Sequence, residues 1–417
     1  MRKQISLLSV SFLLILSGCI PALERGEEDV IVVEETDEGE EQQYVITPTI
    51  DTPEQFYRNV LVDGKYHRSH TRGNVAHAMN NRIDINQFEV GLLEIAMGQY
   101  DSSQYYFQEG QFLDSGTINS WLRRYDPTES RYENGLNPSL GYWQDIENNA
   151  EYETIQDVIE DESREDREHR MRYNPLVLSH VMEHNYFYGN EEDGLHLGGV
   201  VLGIGLRSVY YFHTDDEDGG RYFHEQPLDH PDIDIDPIEY GKEAAQVMIE
   251  RLREEEGLEE EPITIALYQE ERSGSIVPGS FISMTQVGEG ETTIQNWEPI
   301  DEQFFFFPSR AANDSLPNQA SAFSQFKSDV EGFYDRTIGV VGKGRYKNES
   351  LEEMKIEINL QTSRKPEIIA LTQFVSGRLS NTFSDQAPVY VYIESVSGPE
   401  SLIVKYPEEE PYVHIYK

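Results

Sequence analysis

Leu197–Phe212 reads LGGVVLGIGLRSVYYF. The run is rich in β-branched, aromatic and glycine residues and is too long for one straight strand. It therefore reads as β structure that bends or folds into a hairpin. Downstream, Asp236-Pro237-Ile238-Glu239 has the chemistry of a helix start. Asp236 can cap, Pro237 suits the first turn, and Glu239 can reach back to the cap amide. Ile238, Ala245, Met248 and Leu252 then form a core-facing stripe that Gly257 can terminate. Ile263–Tyr268 follows as an apolar strand.

The alternation continues to the end of the chain. Strands are expected at Phe281–Val287, Gln303–Phe307, Thr337–Tyr346, Met354–Leu360, Val389–Ser395 and Leu402–Tyr406, with helices near Gln319–Phe333 and Lys365–Asn381. Gly199-Val200-Val201 and Gly339-Val340-Val341 each open a glycine-containing strand, followed by an amphipathic helix and an apolar strand. That echo suggests two related halves. The fold class is α+β, a small N-terminal helical region followed by a larger mixed body at 173–417.

Upstream, 53–140 reads as mainly helical. Phe88, Leu92, Ile95 and Ala96 fall at helical spacing, and Ile118, Trp121 and Leu122 share one side of a second helix at Thr117–Arg124. Residues 141–172 are dominated by charge and amide, and are expected to be an exposed linker and domain boundary. The stretch 19–52 reads as an acidic, flexible tether with roughly 30 Å of reach by coil scaling.

The chain has 417 residues, with 33 Lys+Arg against 77 Asp+Glu, a net charge of −44. Such a body does not bind nucleic acid or an anionic lipid surface by charge, since phosphate recognition needs clustered bases. Arginine outnumbers lysine 23 to 10. With the excess of carboxylates, this fits a salty or alkaline exterior. One cysteine excludes an intramolecular disulfide framework and a Cys-based zinc knuckle.

That cysteine is Cys19. Arg2 and Lys3 form a basic start, Ile5–Leu16 is apolar, and Leu16-Ser17-Gly18-Cys19 has the form of a bacterial lipobox. Residues 1–18 are then a lipoprotein signal peptide. Signal peptidase II and the lipid-transfer machinery are the expected partners, and the mature chain is expected on the extracellular face of the membrane. Two or more acyl chains are needed for stable retention, because one binds only marginally.

His180-Val181-Met182-Glu183-His184 is an H-x-x-E-H string. On a helix it sets both imidazoles on one face to hold zinc, with Glu183 as general base. The competing interpretation is a short packed helix in which Leu178, Val181, Met182 and Tyr186 form the core face. No third ligand is identifiable.

Two stretches resemble calcium loops. Asp232, Asp234, Asp236 and Glu243 have the right offsets, but Pro237 stands where glycine is needed. Asp216, Asp218, Gly219 and Glu225 also match, but with Thr214 and Arg221 at unsuitable positions. Gly203-Ile204-Gly205 fails as a nucleotide fingerprint because a β-like run follows it. Ser324-Gln325-Phe326-Lys327 lacks a K-T-G partner. Phe304–Phe307 reads as a strand buried on both faces. No catalytic set and no cofactor site emerges.

The lipobox and the strings NNRIDINQFEVGLLEIA, YYFQEGQFLDSGTINSWL, ENGLNPSL, LGGVVLGIGLRSVYYF, SIVPGSFISMTQV, GVVGKGRY, IIALTQFVSG and PYVHIYK resemble the CamS sex-pheromone-precursor lipoproteins of Gram-positive bacteria. The resemblance implies lipid at Cys19 and release of a signal-peptide fragment, here Phe12-Leu13-Leu14-Ile15-Leu16-Ser17-Gly18, as a pheromone. It implies no catalytic residues and no metal. The expected function is that of a precursor whose mature domain is an extracellular binding or interaction module. The competing classes are an extracellular metal-dependent hydrolase using His180, Glu183 and His184, and a calcium-stabilised structural protein.

Overall fold

The computed structural model describes residues 31–35, 41–50, 52, 55–73 and 79–417, apart from 191, 193, 217, 256, 336, 362, 363 and 384–386. The lipobox, Cys19 and the Phe12–Gly18 segment lie outside the described residues.

In chain order the first half comprises strands β1 (Ile31–Glu35), β2 (Glu41–Ile46) and β3 (Arg58–Val62), helix α1 (Arg82–Met97), β4 (Tyr106–Glu109) and α2 (Ser115–Trp121). Three helices follow, α3 (Tyr142–Asn148), α4 (Ile155–Asp161) and α5 (Arg164–Tyr173). Then come β5 (Leu178–Asn190), β6 (Gly194–Leu206), the hairpin β7–β8 (Val209–Asp215, Arg221–Pro227), α6 (Pro237–Leu252), β9 (Ile263–Gln269), β10 (Ser280–Val287) and β11 (Glu298–Pro299). The second half runs β12 (Glu302–Phe307), α7 (Arg310–Ser315), α8 (Pro317–Glu331), β13 (Ile338–Lys347), β14 (Ser350–Leu360), α9 (Lys365–Thr382), β15 (Val389–Ser395), β16 (Gly398–Lys405) and β17 (Tyr412–Ile415).

Two large sheets result, ordered β1-β2-β3-β4-β5-β6-β9-β10-β11 and β12-β13-β14-β15-β16-β17. From β4 onward the first sheet has the same strand order and directions as the second. An antiparallel hairpin (β5–β6, β13–β14) leads through a crossover helix (α6, α9) into a parallel strand (β9, β15), and two antiparallel strands finish each sheet. The two halves are thus built alike. The expected pairing of Gly199-Val200-Val201 with Gly339-Val340-Val341 is offset by one strand: the first lies in β6 and the second in β13, whose counterpart is β5.

The sheets differ in how they are covered. In the first, Val200, Leu202, Ile204, Ile263, Ile265 and Leu267 face Ala245, Met248, Ile249 and Leu252 of α6. The opposite face, with Val201, Ala266 and Tyr268, receives Phe88, Leu92 and Ala96 of α1. Burial on both faces explains why β6 and β9 read as continuous apolar runs. Gly203 sits where a Cβ would come within 2.8 Å of the Phe88 ring, so its bare backbone lets α1 lie down on the sheet. In the second sheet, helices α8 and α9 cover one face through Phe323, Phe326, Leu371 and Val375. Accordingly β13 alternates between buried and open positions.

Several expectations are corrected. Residues 19–52 are not all tether, since β1 and β2 fall within them and extend the sheet. Residues 53–140 are not a helical unit, because β3 and β4 from this stretch join the same sheet. Nor is 141–172 a linker. Its three helices carry their own caps, Thr154 on Asp157 N and Ser163 on Asp166 N. Glu162, with 4% of its side chain exposed, binds Arg170 at 2.7 Å and Arg167 at 3.4 Å. Charge dominates these helices in sequence because their packing is ionic. The apolar core divides near residue 300, between β11 and β12, rather than at 141–172. Phe307 is fully buried, whereas Phe304–Phe306 are only partly so, and β12 is therefore not buried on both faces.

Candidate functional site

His180-Val181-Met182-Glu183-His184 lies on β5, not on a helix. Side chains alternate along a strand, so His180, Met182 and His184 share one face and Glu183 projects from the other. Four residues of strand separate the two histidine Cα atoms by about 13 Å. One ion with bonds of about 2 Å cannot be shared across that span. Among the described residues no group of three or more His, Cys, Asp or Glu side chains is placed to hold a metal. The hydrolase reading is overturned.

Glu183 instead accepts hydrogen bonds from the backbone N–H groups of Gln111 (2.9 Å), Phe112 (3.1 Å) and Leu113 (2.7 Å). It thereby anchors the chain between β4 and α2. Burial raises its pKa, against which those three bonds act. Gly110 is required beside it, because a Cβ there would meet the Glu183 Cβ at 2.5 Å.

The histidine face forms the floor of a cavity of about 200 Å³, bounded by Ile85 and Glu89 of α1, Glu109 of β4, and Ser69, Thr71 and Arg72. Residues 66–72 are held over it by Glu109. Its carboxylate accepts from the Tyr66 hydroxyl (2.7 Å), the Ser69 N–H (2.7 Å) and the Arg72 guanidinium (2.6 Å). The β4–β5 register sets Glu109 directly beside His184. Across β5, His180 and Met182 lie opposite Gly205 and Gly203.

His180 and His184 are 1% and 2% exposed. Both nitrogens of His180 and Nδ1 of His184 lack a hydrogen-bond partner among the described residues. Desolvation lowers each imidazole to about 3, so both rings are neutral at physiological pH. Glu89 is pushed upward by burial, with partial relief from Arg72. The arrangement brings two neutral donor–acceptor rings together with the Glu89, Glu109 and Glu183 carboxylates and the Arg72 guanidinium.

The remaining sequence candidates are structural. Asp236 caps α6, accepting from Ile238 N (2.9 Å) and Glu239 N (3.3 Å). Asp216 closes the β7–β8 turn by accepting from Asp218 N (3.1 Å) and Gly220 N (2.5 Å). Lys327 bonds to Glu331 (2.7 Å) and the Val340 carbonyl (3.0 Å), so it does not serve Ser324. Glu109, Arg72 and Glu89 were not singled out by sequence reasoning. Only strand pairing and the packing of α1 bring them to the histidines, and no local motif marks them.

These features define an α+β body made of two like halves, with a small cavity over the buried histidines of one sheet. The chain belongs to the CamS family: the family model described as CamS sex pheromone cAM373 precursor matches residues 66–411. The crystal structure of a sex pheromone precursor from Lactobacillus salivarius subsp. salivarius UCC118 is similar, with TM-score 0.73 and 25% identity, over 90% of this chain and 99% of that one. The C-terminal domain of the sex pheromone staph-cAM373 precursor from Staphylococcus aureus aligns with TM-score 0.64 and 26% identity, over 82% of this chain and 98% of that domain. No curated protein sequence matches the chain. The family model and both structures are described as sex pheromone precursors.

Proposed function

We propose that this chain is a lipoprotein precursor in which residues 1–18 are removed, Cys19 carries the lipid, and Phe12–Gly18 is released as an apolar signalling peptide. The observation that carries the proposal is the placement of the only cysteine directly after Leu16-Ser17-Gly18, in a chain that belongs to a pheromone-precursor family. The mature body is then held on the extracellular face of the membrane as a binding module. Removing Arg2 and Lys3 leaves 31 bases against 77 acids, a charge of −46. Such a body is repelled by an anionic bilayer, so retention there depends on the acyl chains.

The test is mass spectrometry of culture supernatant for Phe12–Gly18, with a synthetic standard spiked in for recovery. It is paired with intact-mass analysis of the membrane-extracted chain from wild type and Cys19→Ala. The expected result is a discrete heptapeptide, a diacylglyceryl mass on the wild-type N-terminus, and loss of both in the variant. A recovered standard without the native peptide would sink the signalling role, and an unmodified Cys19 would sink the anchor.

A further inference from the structure

We propose that the cavity beneath β5 binds a small aliphatic primary amine, held as its ammonium ion by Glu89 with the imidazole nitrogens of His180 and His184 as additional acceptors. This site is separate from the precursor role and does not depend on it.

The first support is polarity without partners. His180 is buried with both ring nitrogens unbonded, and His184 with Nδ1 unbonded. A buried polar atom left unsatisfied costs about 1–3 kcal/mol, so these unbonded nitrogens on one cavity floor point to a ligand, and an ammonium can satisfy one lone pair on each ring. A neutral imidazole offers one lone pair and one N–H, and the lone pair suits an ammonium donor.

The second support is charge. Three carboxylates, Glu89, Glu109 and Glu183, and one guanidinium, Arg72, line the cavity. Arg72 is committed to Glu109 at 2.6 Å, and Tyr66 and Ser69 complete that carboxylate's shell. Glu89 makes no hydrogen bond among the described residues and feels Arg72 only through space. Glu183 is occupied by the backbone N–H groups of Gln111, Phe112 and Leu113, so Glu89 is the lining carboxylate without a hydrogen-bond donor among the described residues, on a wall where burial disfavours its charge. A cation relieves that cost, and an anion would add to it.

Shape and lining give the class of amine. Met182 and Ile85 supply apolar wall. A dry cavity of about 150 Å³ accommodates benzene, so a volume of about 200 Å³ takes a short alkyl chain. Arg72 is open to solvent while the imidazoles are not, which puts the entrance at Arg72 and Glu89 and the floor at the histidines. A free amine and a lysine side chain present the same group, and the test separates them.

The full-length chain in detergent, at 0.5 M salt to suppress diffuse condensation on its acidic surface, is titrated by calorimetry. The ligands are butylamine, 1,4-diaminobutane, Nα-acetyl-lysinamide, butanol and butyrate. Saturable one-to-one binding of at least one amine, with none of butanol or butyrate, is expected. Tighter binding of the simple amines assigns a free amine, and tighter binding of the lysine analogue assigns a protein side chain. Glu89→Gln should weaken binding at least tenfold and His180→Phe similarly, while Glu352→Gln on an exposed strand position should leave it unchanged. Thermal melts confirm that each variant is folded. Non-saturable uptake, equal binding by Glu89→Gln and Glu352→Gln, or preferential binding of butyrate would each overturn the site.

Discussion

Arg345 on β13 reaches across to Glu94 on α1 and closes a two-pronged ion pair, with Nη1 2.6 Å from Oε1. The same guanidinium bonds Glu302 at the start of β12 at 2.6 Å, and Lys347 also meets Glu94 at 3.1 Å. Glu302 in turn accepts the Phe281 N–H of β10 at 3.1 Å. The two halves are therefore joined by a charged knot rather than only by apolar contact. Arg345 lowers the pKa of Glu94 in spite of that carboxylate's burial.

Arg345→Met should be strongly destabilising. It leaves Glu302, with 1% of its side chain exposed, buried and unpaired. Removing one partner of a buried pair costs about 3–5 kcal/mol. Urea denaturation should show the second half unfolding separately from the first. A single transition with an unchanged midpoint would contradict a coupling role for the knot.

The cavity histidines predict an acid-sensitive stability term. Their folded pKa values, about 3, lie below the unfolded value of about 6.5. Between those limits the unfolded chain binds more protons, so stability is lost as pH falls. Each ring contributes about 1.4 kcal/mol per pH unit inside the window. Asp84, raised to about 6 by burial, acts in the opposite sense, because there the folded state holds the extra proton and stability falls as pH rises from about 4 towards 6. The clean observable is a difference. The pH slope of stability between pH 4 and 5.5 should be lower in His180→Phe than in wild type by about 1.4 kcal/mol per unit. Identical slopes would mean that the ring is not held neutral.

Three glycines make a paired test of packing. A Cβ at Gly203 would meet Phe88 at 2.8 Å, and one at Gly342 would meet Phe323 at 2.5 Å, whereas Gly377 on α9 has nothing within 4 Å. Gly203→Ala and Gly342→Ala should each cost about 1–3 kcal/mol by overpacking. Gly377→Ala, in an exposed helix interior, should add about 0.5–1 kcal/mol. Thermal melts of the three variants decide the matter, and equal effects at all three sites would refute the packing assignment.

The net charge of −44 predicts that salt stabilises the body. Self-repulsion of this size is relieved by screening. Scanning calorimetry should show Tm rising between low and molar sodium chloride, and a flat or falling trend would sink the idea of a body suited to a salty exterior.

Much of the fold was legible wherever burial is one-sided or uniformly apolar. The start of α6 at Pro237, with its Asp236 cap, follows from local chemistry alone, as do β9 and β15 from their apolar runs. Strand β5 was not legible. His180, Glu183, His184 and Asn185 are buried polar residues in its middle, so its sequence lacks both the alternation and the apolar run that mark strands. The i, i+4 histidines then suggested a helix. Short strands β3 and β4 escaped notice because their pairing is set by partners distant in the chain. The repeat was visible but misaligned by one strand. Only the hydrogen-bond ladder shows that β14, not β13, runs parallel to the next strand. The cavity depended on all of these at once, and so its wall residues carried no signal.

The placement of β1 at Ile31 shortens the leash. Residues 20–30 alone join Cys19 to the first strand, and at full extension of about 3.3–3.6 Å per residue they span about 40 Å. If Cys19 carries lipid, as proposed, that length is the upper bound on the distance from the lipid to Ile31. β1 is one edge of its sheet and β11 the other, and the second half follows directly after β11. If the proposed anchor at Cys19 holds, β1 is the first described strand after the point of attachment, and the six-stranded sheet belongs to the end of the chain farthest from it.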